Sequence, residues 1–172
     1  MEIRIKCLRL KIDFSFILVI SFALLYGYQS ALQLLILSVL HELGHLAALV
    51  AFKARVYEIS LSFFGFGIKY NGLLSLKQEA AMLFCGPLVN LFLFTVFRDK
   101  INLLLFLLNI IPVFPLDGGR LLLLLMPDKG KYISTLFLIL LFIFSVGLLI
   151  RYKIVSLILI AVYLLIFNLR FV

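Results

Sequence analysis

Residues 30–52 read SALQLLILSVLHELGHLAALVAF. Most of this stretch is Leu, Ile, Val and Ala. It predicts a membrane-crossing helix, because about 20 apolar residues at roughly 1.5 Å each span a hydrocarbon core of about 30 Å. Against that background stand His41, Glu42 and His45. An acidic residue at mid-span costs about 2.5–3.5 kcal/mol on insertion scales, so its presence asks for a function or a partner. On a helix, residues four apart lie on one face, one turn apart. Two imidazoles so placed can bind one Zn2+, and a glutamate beside the first can reach a water in the same site. His41 and His45 are also the only histidines of the chain. We therefore expect them as metal ligands. Glu42 is expected as the general base that takes a proton from water and passes it to a leaving amine. The plainer alternative is a set of buried polar groups tying helices together.

The rest of the chain has the same texture. Of its 172 residues, 65% are hydrophobic, and the mean hydropathy is +1.25. A soluble domain is roughly half apolar, and a small core cannot hide such an excess. The expectation is one all-α polytopic membrane domain over residues 1–172, with about six transmembrane helices and no soluble domain. The apolar runs are residues 12–28, 30–52, 78–97, 101–126, 132–150 and 154–169. Basic residues before the first run resemble a signal peptide. No convincing small-residue cleavage site follows, so an uncleaved span is expected. Between the second and third runs the composition changes. Residues 57–70 alternate loosely around Gly65-Phe66-Gly67, which predicts a β-hairpin or a re-entrant segment.

The formal charge of +8 suggests nucleic acid in a soluble protein, but here the basic residues sit in short groups between apolar runs. That is the pattern of cytoplasmic loops, and no nucleic-acid partner is expected. With both termini inside, twelve of the 16 basic residues fall on the inner side. The count favours cytoplasmic termini and a cytoplasmic-side histidine cluster. Cys7 and Cys85 have neither disulfide-framework nor metal-ligand spacing, and both read as free thiols.

A catalytic zinc takes three protein ligands and keeps one position open. With both histidines used, the third must be an acid. Glu2, Asp13, Glu58, Glu79, Asp99 and Asp128 lie in expected loops or at span ends. Only Asp117 interrupts an apolar region, in Asn109-Ile-Ile-Pro112-Val-Phe-Pro115-Leu-Asp117-Gly-Gly-Arg120. The prolines break the helix before it, and the glycines allow a turn with close backbone approach. Asp117 is expected as the third ligand; a salt bridge to Arg120 is the alternative. For Asn109, a role at the site and a helix–helix hydrogen bond both fit.

These motifs together resemble the site-2 protease family of intramembrane zinc metalloproteases. The resemblance rests on His41-Glu-Leu-Gly-His45, on Gly86-Pro87-Leu-Val-Asn90 and on Asn109…Pro112…Pro115-Leu-Asp117-Gly. Within the family, the chain is most similar to the sporulation branch. The resemblance implies regulated intramembrane proteolysis in a bacterial cell membrane. The substrate implied is a membrane-associated protein, a pro-sigma factor in the sporulation branch. A transmembrane anti-sigma factor or a signal-peptide remnant is the second choice. Accessory roles fall on Asn109, Gly65, Gly67 and Asn90, with the Gly65 region holding an extended substrate. The bilayer is a partner, and inhibitory membrane proteins and a homo-oligomer remain open. Sporulation relatives often carry a C-terminal CBS domain; none is expected in this chain. A metal-ion transporter is the competing class, but Glu42 is redundant there and no internal repeat is visible.

Overall fold

The computed structural model describes residues 2–5, 8–13, 21, 27, 29–62, 65–153 and 156–171. In chain order the elements are β1 (Glu2–Ile5), β2 (Leu8–Ile12), α1 (Gln29–Ala51), β3 (Arg55–Ser62), β4 (Gly65–Asn71), α2 (Leu76–Phe97), α3 (Lys100–Ile110), α4 (Asp117–Leu125), α5 (Pro127–Tyr152) and α6 (Ser156–Phe171). The chain divides into two compact units, residues 1–106 and 107–172.

In the first unit, α1 packs on α2. The buried face of α1 is Leu37, His41, Gly44, His45, Ala48 and Leu49, a stripe at the helical period that holds both histidines. Ile36, Leu43 and Val50 are exposed and recur every seven residues on the other side. This inverts the soluble pattern: polar groups face inward and apolar ones outward. Lipid is the solvent in which that arrangement is stable. A capping box at Ser75 and Gln78 starts α2, with Ser75 Oγ accepting from the Gln78 amide at 3.3 Å and Gln78 Oε1 from the Ser75 amide at 2.9 Å. Three helices end near a cationic residue in the left-handed region, Lys53 after α1, Arg98 after α2 and Lys153 after α5. A cation there meets the negative end of the helix dipole.

The expected hairpin is present: β3 and β4 pair antiparallel, from Arg55 opposite Asn71 to Ser62 opposite Gly65. An unexpected second hairpin, β1 with β2, joins it through a parallel β2–β3 pair, giving a four-stranded sheet in the order β1-β2-β3-β4. The fold is therefore not all-α. The register sets Glu58 opposite both Arg9 and Lys69. The Lys69 ammonium bonds Glu58 Oε1 at 2.8 Å, and this bond, with the charges of Arg9 and Lys11, holds the Glu58 carboxyl below the usual carboxylate range.

Among the described residues, three helices are long and apolar enough to cross a membrane: α1, α2 and α5, of 23, 22 and 26 residues. Six spans are not seen among the described residues. The expected span at 12–28 lies almost wholly outside the described residues. The expected span at 101–126 is two short helices, α3 and α4, of 11 and 9 residues. Pro112 and Pro115 supply no backbone N–H, so no helical ladder runs through that region. The expected turn at 127–131 is instead the first turn of α5, with Pro127 at its start.

In the second unit, Val113, Leu138 and Leu164 form the core, joining the loop before α4 to α5 and α6.

A Cβ at Gly44 meets the Cys85 carbonyl oxygen at 2.7 Å and Val89 Cγ2 at 2.8 Å, so backbone approach here demands glycine. Gly44→Leu is expected to force α1 from α2 and destabilise the protein by about 1–3 kcal/mol, the usual range for overpacking. Thermal unfolding in detergent checks this; an unchanged midpoint contradicts it.

Candidate metal centre

The i,i+4 spacing places His41 and His45 on the face of α1 that α2 covers. Both are buried, at 6% and 5% exposure, and Glu42 is half-buried beside them. One ligand atom from each of His41, Glu42 and His45 lies within 4.8 Å of the others. The two rings stand almost perpendicular, at 82°, with their Nε2 atoms 3.2 Å apart. Two nitrogens that each lie about 2.0–2.1 Å from one tetrahedral Zn2+ are separated by roughly 3.3 Å. The observed spacing matches that of a shared metal, and equally that of a hydrogen bond between the rings.

The far sides of the rings are held by α2. His45 Nδ1 lies 2.8 Å from the Met82 carbonyl oxygen. A carbonyl only accepts, so the proton is on Nδ1 and Nε2 offers its lone pair to the site. The amide of Asn90, fully buried, sits 2.9 Å from His41 Nδ1. Gly86 supplies the space in front of the two nitrogens: a Cβ there would collide with His45 Nε2 and would lie 2.7 Å from His41 Nε2. Two imidazoles turned toward one point, with Glu42 beside them and a cradle kept open by glycine, fit Zn2+ and a base next to it.

Asp117 lies in the second unit, in the first turn of α4, and is 8% exposed. Its carboxylate faces the positive end of that helix dipole. The alternative partner is also in place: the Arg120 guanidinium forms an ion pair with Asp117 Oδ1 at 4.0 Å, at the long limit of such a contact. Cβ atoms at Gly118 and Gly119 would collide with the backbone of Ile110 and of Val113, so the turn folds tightly on itself. Ser134 on α5 anchors it: its Oγ accepts the Phe114 amide at 2.9 Å and the Asn168 side-chain amide at 3.4 Å. Asn109 is half-buried near the end of α3. Gly65 and Gly67 lie on β4, where Gly67 packs over Ser60, whose hydroxyl donates to the Gly67 carbonyl at 3.3 Å.

Other acids have structural positions. Glu58 is paired with Lys69. Asp99 accepts from Gln33 at 2.9 Å and Asn102 at 3.2 Å. Glu79 and Asp128 lie in the first turns of α2 and α5, where the dipole favours a negative charge. What sequence reasoning missed at the histidines was the Met82 carbonyl, a backbone group with no side-chain signature, and Ser134 behind the Asp117 turn.

A histidine pair closed between two apolar membrane-length helices, with a carboxylate beside it, defines the class: the chain is a membrane protein with a candidate zinc centre. It is 35% identical over 128 residues to Stage IV sporulation protein FB of Bacillus subtilis, covering 63% of this chain and 44% of that protein. It is 35% identical over 122 residues to a protein of Synechocystis sp. named "Putative zinc metalloprotease", covering 56% of this chain and 31% of that one. Thus the chain spans less than half the length of these relatives. Its fold matches the site-2 protease from Methanocaldococcus jannaschii with a TM-score of 0.64 at 20% identity, over 99% of this chain and 94% of that one. No family model matches the sequence.

Gly86→Ala is expected to displace the imidazoles and lower zinc affinity by at least about 10-fold, the scale of a disturbed ligand shell. Gly147→Ala, where a Cβ meets nothing within 4 Å, is the control. Zinc retention against a chelator reads both; equal retention contradicts the cradle.

Proposed function

We propose that this chain is an intramembrane zinc endopeptidase, with His41, His45 and Asp117 as metal ligands and Glu42 as general base. The observation that carries the reading is the pair of Nε2 atoms 3.2 Å apart, with Glu42 beside them, inside a helix of membrane length. Asp117 is supported by its chemistry as a buried carboxylate in an otherwise apolar stretch. Zn2+, when bound, supplies Lewis acidity and lowers the pKa of water toward about 7.

The protein's own groups do the rest. The histidines hold their ligand nitrogens toward one point. Glu42 takes a proton from water and returns it to the departing amine nitrogen. The buried surroundings strengthen each of these interactions by excluding bulk water. Asn109 is an accessory polar group of the same site. The substrate is a membrane-associated protein cut on the cytoplasmic side, in the manner of a pro-sigma factor. Both termini of the multi-pass chain are cytoplasmic, as the distribution of basic residues favours. Gly65 and Gly67 lie on β4, which pairs only with β3 among the described residues. An extended substrate adds to such an edge by main-chain hydrogen bonds, so its peptide is unwound before it is cut.

Glu42→Gln is expected to lower cleavage of a membrane-tethered pro-sigma substrate by about 10²–10⁴-fold, the scale of a general base, while zinc stays bound. Cleavage by the Gln variant at the wild-type rate rules out this mechanism. Asp117→Ala is expected to lose zinc on dialysis that leaves wild-type protein loaded, since it removes one of the three ligands such a site uses. Equal zinc content removes Asp117 from the site.

A further inference from the structure

We propose that Asn90 is a positioning residue that sets which nitrogen of His41 carries the proton, and so whether Nε2 offers a lone pair to the metal; this rests on the zinc reading above. Asn90 is 0% exposed, its nitrogen lies 2.9 Å from His41 Nδ1, and its oxygen has no hydrogen-bond partner. A buried amide with an unpartnered oxygen is costly.

Two arrangements fit the same heavy-atom outline. With nitrogen toward His41, Asn90 donates to Nδ1. The His41 proton then sits on Nε2, aimed at the His45 Nε2 lone pair 3.2 Å away, and His45 Nδ1 donates to the Met82 carbonyl. The four groups form one donor chain, Asn90 to His41 to His45 to Met82. In it, His41 has no lone pair to give a metal. A half-turn of the Asn90 amide exchanges its two ends. The oxygen then accepts from Nδ1–H, and His41 Nε2 presents a lone pair beside that of His45. Two lone pairs at that distance repel one another unless a cation lies between them. The turned amide and a cation therefore stabilise one another. The exchange is a tautomerisation of His41: one proton leaves Nε2, one is gained at Nδ1 by exchange with water, and the net proton count is unchanged.

The two ends of the amide are thus used in turn, as donor and as acceptor. Aspartate keeps only the acceptor and leucine keeps neither. Zn2+ affinity of full-length protein in detergent, measured by competition with a chelating dye, separates these roles. Asn90→Leu is expected to weaken Zn2+ binding by about 10–100-fold and Asn90→Asp to stay within about threefold of wild type or bind more tightly, as outer partners of histidine ligands do. Asn90→Ala replaces the Leu variant if thermal melting shows that variant unfolded. Affinity unchanged in the Leu or Ala variant overturns the proposal. So does an Asp variant as weak as the Leu variant, because the acceptor is then not what matters. Wild-type protein that binds no Zn2+ strikes at the metal centre itself, and this inference falls with it.

Discussion

The approach of α1 to α2 across two glycines is the contact on which the metal centre depends. Gly44 lets the α1 backbone close on the Cys85 carbonyl, and Gly86 leaves room before the imidazoles. Only at that distance do Met82 and Asn90 reach the outer nitrogens of His45 and His41. In a membrane such contacts cannot be replaced by water, so the polar groups of α1 must find their partners on neighbouring backbone and side chains. Small residues at the helix interface bring both about, close packing and polar satisfaction.

The second unit solves a related problem by different means. Asp117 is carried by a short helix entered from a proline-broken loop. Gly118 and Gly119 allow that loop to pass against Ile110 and Val113. Val113 is fully buried against Leu138 and Leu164, and Ser134 accepts the Phe114 amide. A carboxylate is thereby held by a tight backbone turn, backed by two helices, and not by a long regular span.

The sheet belongs to yet another regime. In β1 and β2 charged and apolar residues alternate, and Glu58 faces Arg9 and Lys69 across the ladder. Cross-strand pairs of opposite charge contribute little each, but they favour one register over its neighbours. Arg9 and Lys69 are among the groups that set this register.

Much was legible in the chain itself. The i,i+4 histidines in an apolar run determined both a membrane helix and a paired-imidazole face, because lipid and helical period leave few other solutions. The alternation around Gly65 determined a hairpin. The N-terminal hairpin was also written there, in Glu2-Ile-Arg-Ile and Leu8-Arg-Leu-Lys-Ile12, but basic residues before an apolar run read first as a membrane flank. The break within residues 101–126 was visible as prolines and glycines, yet two short helices and an intact kinked one share those residues. Tertiary structure alone decided that the sheet joins β2 to β3 in parallel, that Ser134 anchors the Asp117 turn, and that Asn90 and Met82 face the histidines. The physical reason is that these are contacts between segments distant along the chain, and one of them uses a backbone carbonyl, which every residue carries and no sequence pattern marks.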